Sequence, residues 1–252
     1  MSDNLPSRTY RAVWVSDVHL GARECQAARL ADFLDHTECQ HLYLVGDFLD
    51  AWKLGRRIFW PASHDRVLRR ITAMASSGCN VTLLPGNHDD VLRQFLGVTY
   101  GNFRIVDDCI HVGLDGRQFL VIHGDQFDEV IAKARWLAEV GERLYTMAIY
   151  FSRGLNKICS ALGLPHMPLS KWLKHQAKAT ALQGYKEKLS QAASERGLQG
   201  VICGHTHKPE ILEINGVTYM NDGDWVESCS ALVEHIDGRL ELLEFGTHNP
   251  LA

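Results

Sequence analysis

Short apolar runs closed by polar residues recur along the chain at 12–16, 42–45, 81–84, 119–122 and 201–203. Runs of this length, rich in β-branched residues and apolar at consecutive positions, predict buried strands. Between them, 25–34 and 66–75 carry apolar residues at helical spacing, and Ser76-Ser77-Gly78 supplies a helix stop for the second. Strand and helix alternate, which predicts βα units feeding a mostly parallel sheet.

From residue 211 the texture changes. Two runs, 211–214 and 217–220, flank Asn215-Gly216, and two more, 232–236 and 240–245, flank Asp237-Gly238. Asn-Gly and Asp-Gly between apolar runs predict hairpins with type I′ turns. These strands are expected to form a second, mainly antiparallel sheet packed on the first, with helices outside. The stretch 127–196 interrupts the pattern as a long helical insertion, basic and more apolar than one packing face requires, with Trp136 and Tyr145 among its aromatic residues. One domain over 1–252 with an insertion at 127–196 is the expected organisation.

Composition narrows the class. With 46% hydrophobic residues and a net charge of -4, the surface as a whole is not built to hold nucleic acid. No protein partner is indicated. The seven cysteines are scattered and never form a CxxC pair, which points away from a disulfide framework or a structural zinc site and toward a reducing compartment. The first ten residues lack a basic segment followed by an apolar one, and no run reaches membrane-spanning length, so a cytoplasmic location is expected.

The chemistry lies in five ordered blocks, most of them at strand ends: Asp17-Val18-His19, Gly46-Asp47, Gly86-Asn87-His88-Asp89, His123-Gly124-Asp125 and Gly204-His205-Thr206-His207. In an open α/β sheet, ligands from distant positions converge beyond the carboxyl ends of the strands. Residues two apart on an extended segment share a face, so Asp17 with His19 and His205 with His207 are expected to act as clamps. Glycine before a ligand lets the backbone approach the site closely.

Together the blocks predict a two-metal phosphoesterase site. Asp47 is assigned as the shared carboxylate, Asp17, His19 and His207 to one cation, and Asn87, His123 and His205 to the other. Mixed imidazole and carboxylate ligation favours manganese, iron or zinc over calcium without choosing among the three, manganese being taken as the expected ion, and the pair of cations activates a water for in-line attack on phosphorus. His88 is assigned to the substrate phosphate as hydrogen-bond donor or general acid, with Asp89 holding its tautomer. Asp50 and Asp125 are candidates to brace the site, and Arg56 and Arg57 to contact phosphate.

These blocks resemble those of the calcineurin-like metallophosphoesterase superfamily. The resemblance implies a four-layer α/β/β/α sandwich and a dinuclear metal centre. Within the superfamily, the run from Gly46 to Trp52, the block at His123 and the helical insertion resemble the UDP-2,3-diacylglucosamine pyrophosphatase branch of lipid A synthesis. That implies a nucleotide-linked lipid as substrate, cleaved to UMP and a lipid phosphate, with Trp136 and Tyr145 serving acyl groups. It also implies peripheral association with the cytoplasmic face of the inner membrane. The best-established members of that branch carry arginine where this chain has His88. A phosphodiesterase or phosphomonoesterase of another substrate is the alternative.

Overall fold

The structure, a computed structural model, describes residues 8–128 and 169–245. The chain divides into two compact units, Met1–Asp125 with Ser190–Ala252, and Gln126–Leu189. Trp136, Tyr145 and most of the stretch expected as an insertion lie outside the described residues; its described part includes the helix α4 (Leu169–Glu195). No helix among the described residues is long and apolar enough to cross a membrane.

The first unit is an α/β sandwich of two sheets. In chain order its strands are β1 (Arg8–Val15), β2 (Thr37–Val45), β3 (Asn80–Leu84), β4 (Thr99–Tyr100), β5 (Phe103–Ile105), β6 (Asp108–Val112), β7 (Gln118–Ile122), β8 (Gly200–Cys203), β9 (Glu210–Ile214), β10 (Val217–Asn221), β11 (Ser230–His235) and β12 (Leu240–Glu244). The helices α1 (Ala27–Asp35), α2 (Ala51–Leu54) and α3 (Ala62–Ser76) fall between the first three strands. One sheet runs β12-β11-β1-β2-β3-β5-β4 and the other β6-β7-β8-β10-β9.

Alternation along the central strands explains the layering, because successive side chains leave opposite faces. Val13 and Val15 of β1 and Leu42 and Leu44 of β2 share a core with Leu30 and Leu34 of α1 and Val67 and Ile71 of α3. Their neighbours Ala12, Trp14, Tyr43 and Val45 point the other way, into a core shared with Phe119, Val121, Ile202 and Met220 of the second sheet. Trp14 stacks on Tyr43 with ring centroids 5.3 Å apart. Both faces of β1 and β2 are therefore buried, and each fully buried large aliphatic side chain contributes roughly 1.5–3 kcal/mol.

Sheet membership departs from the sequence expectation. The strands β7 and β8, expected in the first, mostly parallel sheet, belong to the second, which has two parallel and two antiparallel pairings. The hairpin β11–β12, expected in the second sheet, pairs antiparallel with β1 in the first. Apolar periodicity reports that a strand is buried and leaves open which neighbour buries it. The turns also differ. Asn215 and Gly216 both have positive φ, 51° and 80°, as a type I′ turn requires. In the second hairpin only Gly238 does, and His235 pairs with Arg239 across a three-residue loop, a type I turn with a left-handed glycine.

Candidate metal centre

The loops after β1 and β2 run side by side, with Asp17 N–H donating to Gly46 O (3.1 Å) and His19 N–H to Asp47 O (2.8 Å). Their geometry is strained. Seven non-glycine residues among the described ones have positive φ, and five are Asp17, His19, Asp47, His205 and His207. A left-handed conformation costs an ordinary residue about 1–3 kcal/mol and persists where the surroundings enforce it. This backbone, rather than an extended strand, turns Asp17 and His19 toward one point. His205 and His207 diverge: His207 stacks on His19 (5.6 Å between centroids), while His205 meets His123 edge-on (5.1 Å).

Three overlapping groups have candidate ligand atoms within 4.8 Å of one another: Asp17, His19 and His207; His19, Asp47 and His88; and Asp17, Asp47 and His123. Asp47 sits at the centre, its Oδ1 3.6 Å from His123 Nε2 and its Oδ2 3.8 Å from His19 Nε2. Gly86 permits this packing. A Cβ there would lie 2.6 Å from Asp47 N and 2.7 Å from His123 Cδ2.

The donor set suits divalent cations. His123 is buried, and its Nδ1 faces the Val45 carbonyl at 2.9 Å, so Nδ1–H donates and Nε2 keeps a lone pair toward Asp47. Among the described residues, that Nε2 and Asn87 Oδ1 have no hydrogen-bond partners although buried, a costly arrangement that a cation would relieve.

Electrostatics point the same way. Burial, and then the charge of Asp17, push the Asp47 carboxyl up to about 7. Burial alone would raise Asp17 too, but hydrogen bonding and the charge of His207 hold it well below the usual carboxylate range. Burial would lower His207, yet Asp17, with Oδ1 3.2 Å from its Nε2, lifts it to about 9. Burial lowers His19 to about 4. Below about pH 7, then, a cation must displace a proton from Asp47, and below about pH 9 one from His207. Apparent metal affinity should fall as pH drops through 7, with proton release on binding. Calorimetric titration with manganese at pH 6 and pH 8, in buffers of different ionisation enthalpy, checks this; equal affinities would contradict it.

Two roles expected from the sequence change. Asp89 does not hold His88: its Oδ2 accepts from Phe48 N (2.9 Å) and Leu49 N (3.1 Å), and its Oδ1 from Gly86 N (2.7 Å). It pins the loop after β2 against the loop after β3. The carboxylate facing His88 Nδ1 is Asp50, at 3.5 Å, and the same side chain lies 3.9 Å from His19 Nδ1 and caps α2 through Lys53 N. His88 also joins the cluster around Asp47, with Nε2 4.0 Å from Asp47 Oδ2, and its ring lies tilted against the exposed Trp52 with centroids 4.1 Å apart. Asp125 accepts paired hydrogen bonds from Arg93, which also donates to Pro85 O ahead of Gly86. Arg56 and Arg57 are exposed on the turn after α2 and, among the described residues, make no hydrogen bond or ion pair with the site.

The segment Asn221-Asp222-Gly223-Asp224-Trp225 has no counterpart among the five blocks. Ser16 Oγ lies 2.7 Å from Asp17 Oδ2 and 2.6 Å from Asp222 Oδ1, Trp225 N–H donates to Asp17 O, and Asn221 Nδ2 donates to Gly204 O. Burial raises the Asp222 carboxyl well above its ordinary value. The cluster of short polar residues reads as a plain turn, and only the fold shows that it closes beneath Asp17.

Curated relatives named UDP-2,3-diacylglucosamine hydrolase match most of the chain. One from Xanthomonas campestris pv. campestris is 28% identical, covering 90% of this chain and 96% of the relative. One from Aeromonas salmonicida is 26% identical over 88% of each. Among solved structures, Yfce, a phosphoesterase from E. coli, aligns over 92% of this chain and 97% of its own at 14% identity and a TM-score of 0.44. The calcineurin-like phosphoesterase model matches residues 10–209, a span that takes in every metal-ligand candidate. This chain is a metal-dependent hydrolase belonging to the calcineurin-like phosphoesterase family.

Proposed function

We propose that the protein hydrolyses the diphosphate of a nucleotide-linked lipid of the UDP-2,3-diacylglucosamine type, releasing UMP and a lipid phosphate. The observation that carries this reading is the convergence of imidazoles and carboxylates on Asp47, in a chain whose relatives bear that substrate in their names over about nine-tenths of its length. Asp17, His19 and His207 would hold one divalent cation and Asn87, His123 and His205 the other, with Asp47 between them; manganese is the proposed ion. When bound, the pair supplies an activated water and neutralises charge at phosphorus.

The chain's own residues do the rest. Asp50 Oδ1 lies 3.5 Å from Nδ1 of His88, and Nε2 of the ring lies on the Asp47 side of the site, 4.0 Å from Asp47 Oδ2. There it can donate a hydrogen bond or a proton to a phosphate or leaving-group oxygen. Asp89 and Gly86 lock the loop carrying Asn87 and His88 against the loop carrying Asp47. Arg56 and Arg57 are proposed to meet the substrate phosphates, Trp136 and Tyr145 its acyl chains, and the protein to work at the cytoplasmic face of the inner membrane.

Manganese-loaded protein incubated with UDP-2,3-diacylglucosamine is expected to release UMP. Absence of UMP from a preparation that hydrolyses a simple aryl phosphodiester would overturn the lipid assignment and leave the reaction class standing. The arrangement of His88 with Asp50 favours a second reading, a phosphodiesterase or phosphomonoesterase of broader scope. A substrate panel in which acyl chains make no difference to the rate would select it.

A further inference from the structure

Cys39, near the start of β2, and Cys79, just before β3, meet with Sγ atoms 3.6 Å apart. They lie at the ends of these strands opposite Asp47 and Gly86. Both line a surface cavity of about 420 Å³, together with Gln40, Arg70 and Met74. Cys39 is half-buried, and Cys79 is 6% exposed at the cavity wall.

The two side chains are turned toward each other at the start of neighbouring parallel strands, whose ladder runs from His41 opposite Asn80 onward. A bridge closes the sulfurs from 3.6 Å to about 2.05 Å.

The two thiols are also unequal. The thiols share a hydrogen bond that lowers Cys79 and raises Cys39, and the Arg70 guanidinium lowers both. Arg70 is anchored to Leu34 O and Thr37 O, each at 2.9 Å. Burial moves the thiols of Cys25, Cys109 and Cys203 the other way, to about 12, 11 and 12. A thiolate is the nucleophile in cysteine oxidation, and a thiol of lowered pKa at a cavity wall beside a second thiol is the arrangement that reacts with peroxide.

We propose that Cys39 and Cys79 form an oxidation site that a hydroperoxide closes to a disulfide. The Cys79 thiolate attacks the peroxide oxygen, an S–O bond forms as the O–O bond breaks, and the leaving oxygen departs with a proton as water or alcohol. Cys39 sulfur then attacks the Cys79 sulfenic acid, an S–S bond forms as the S–O bond breaks, and the second oxygen leaves as water with the Cys39 proton. Two thiols lose two electrons and two protons, and one hydroperoxide is reduced. The bridge ties the starts of β2 and β3 across the segment containing α3 and leaves the ligand-bearing ends free.

The test uses reduced, manganese-loaded full-length protein treated with one equivalent of hydrogen peroxide, followed by alkylation of remaining thiols and peptide mass spectrometry. The expected product is a linked pair of peptides containing Cys39 and Cys79, lighter by two hydrogens, reversed by dithiothreitol. A higher Tm and retained hydrolysis of an aryl phosphodiester accompany it. In Cys39→Ser the reaction stops at a Cys79 sulfenic acid that dimedone traps. Full alkylation of Cys39 and Cys79 while Cys25 or Cys229 oxidises, or a link from Cys39 to any other cysteine, would overturn the proposal.

Discussion

Replacing Asp47 with alanine is expected to lower turnover by more than the about 10⁴-fold that marks the upper end of general acid–base catalysis, with bound metal lost as well. Asp47 is shared by two of the three candidate ligand groups and lies within 4.0 Å of His19, His88 and His123. Its removal leaves the remaining imidazoles without the anion that lets two cations lie close together. His88→Ala provides the contrast: turnover falls about 10²-fold, the scale of one proton donor, while metal stays bound. Elemental analysis alongside kcat on the two variants decides the matter. An Asp47→Ala protein with full metal content and near-normal turnover would remove Asp47 from the centre of the site.

Gly86→Ala is expected to cost about 1–3 kcal/mol of stability, the range for forcing an extra methyl into a packed interior. The new Cβ would press on Asp47 and on the His123 ring, and the loop cannot retreat, because Gly86 N–H is bonded to Asp89 Oδ1 at 2.7 Å. Displacing Asp47 by a fraction of an ångström to an ångström should cut turnover by about 10²-fold. Urea unfolding and steady-state kinetics on the same preparation measure both. A variant as stable and as active as the parent would show that this contact is looser than described.

Much of this site was legible in the chain, because its ligands come in short blocks at strand ends and their types suit one chemistry. The apolar runs at 12–16, 42–45, 81–84, 119–122 and 201–203 all lie in or overlap strands. What stayed hidden depended on contacts between distant segments. No periodicity says that β11 pairs with β1 rather than joining β9 and β10. The short strands β4, β5 and β6 carry mostly exposed or half-exposed residues, so no buried apolar run marks them. His88 and Asp89 are adjacent in sequence, which suggested a partnership; the turn sends Asp89 into backbone amides and leaves His88 to Asp50, thirty-eight positions earlier. Asp222 reaches the site through Ser16 and through its amide on Cys203 O, contacts between distant segments that no spacing rule could announce.

The left-handed backbone at Asp17, His19, Asp47, His205 and His207 sets durability against chemistry. Each of these positions would be more comfortable as glycine, so changes that made the protein hardier to heat would arise most easily where they abolish its reaction. A descendant freed from the need to hydrolyse phosphate would be expected to shed these five side chains early and grow more robust as it did so.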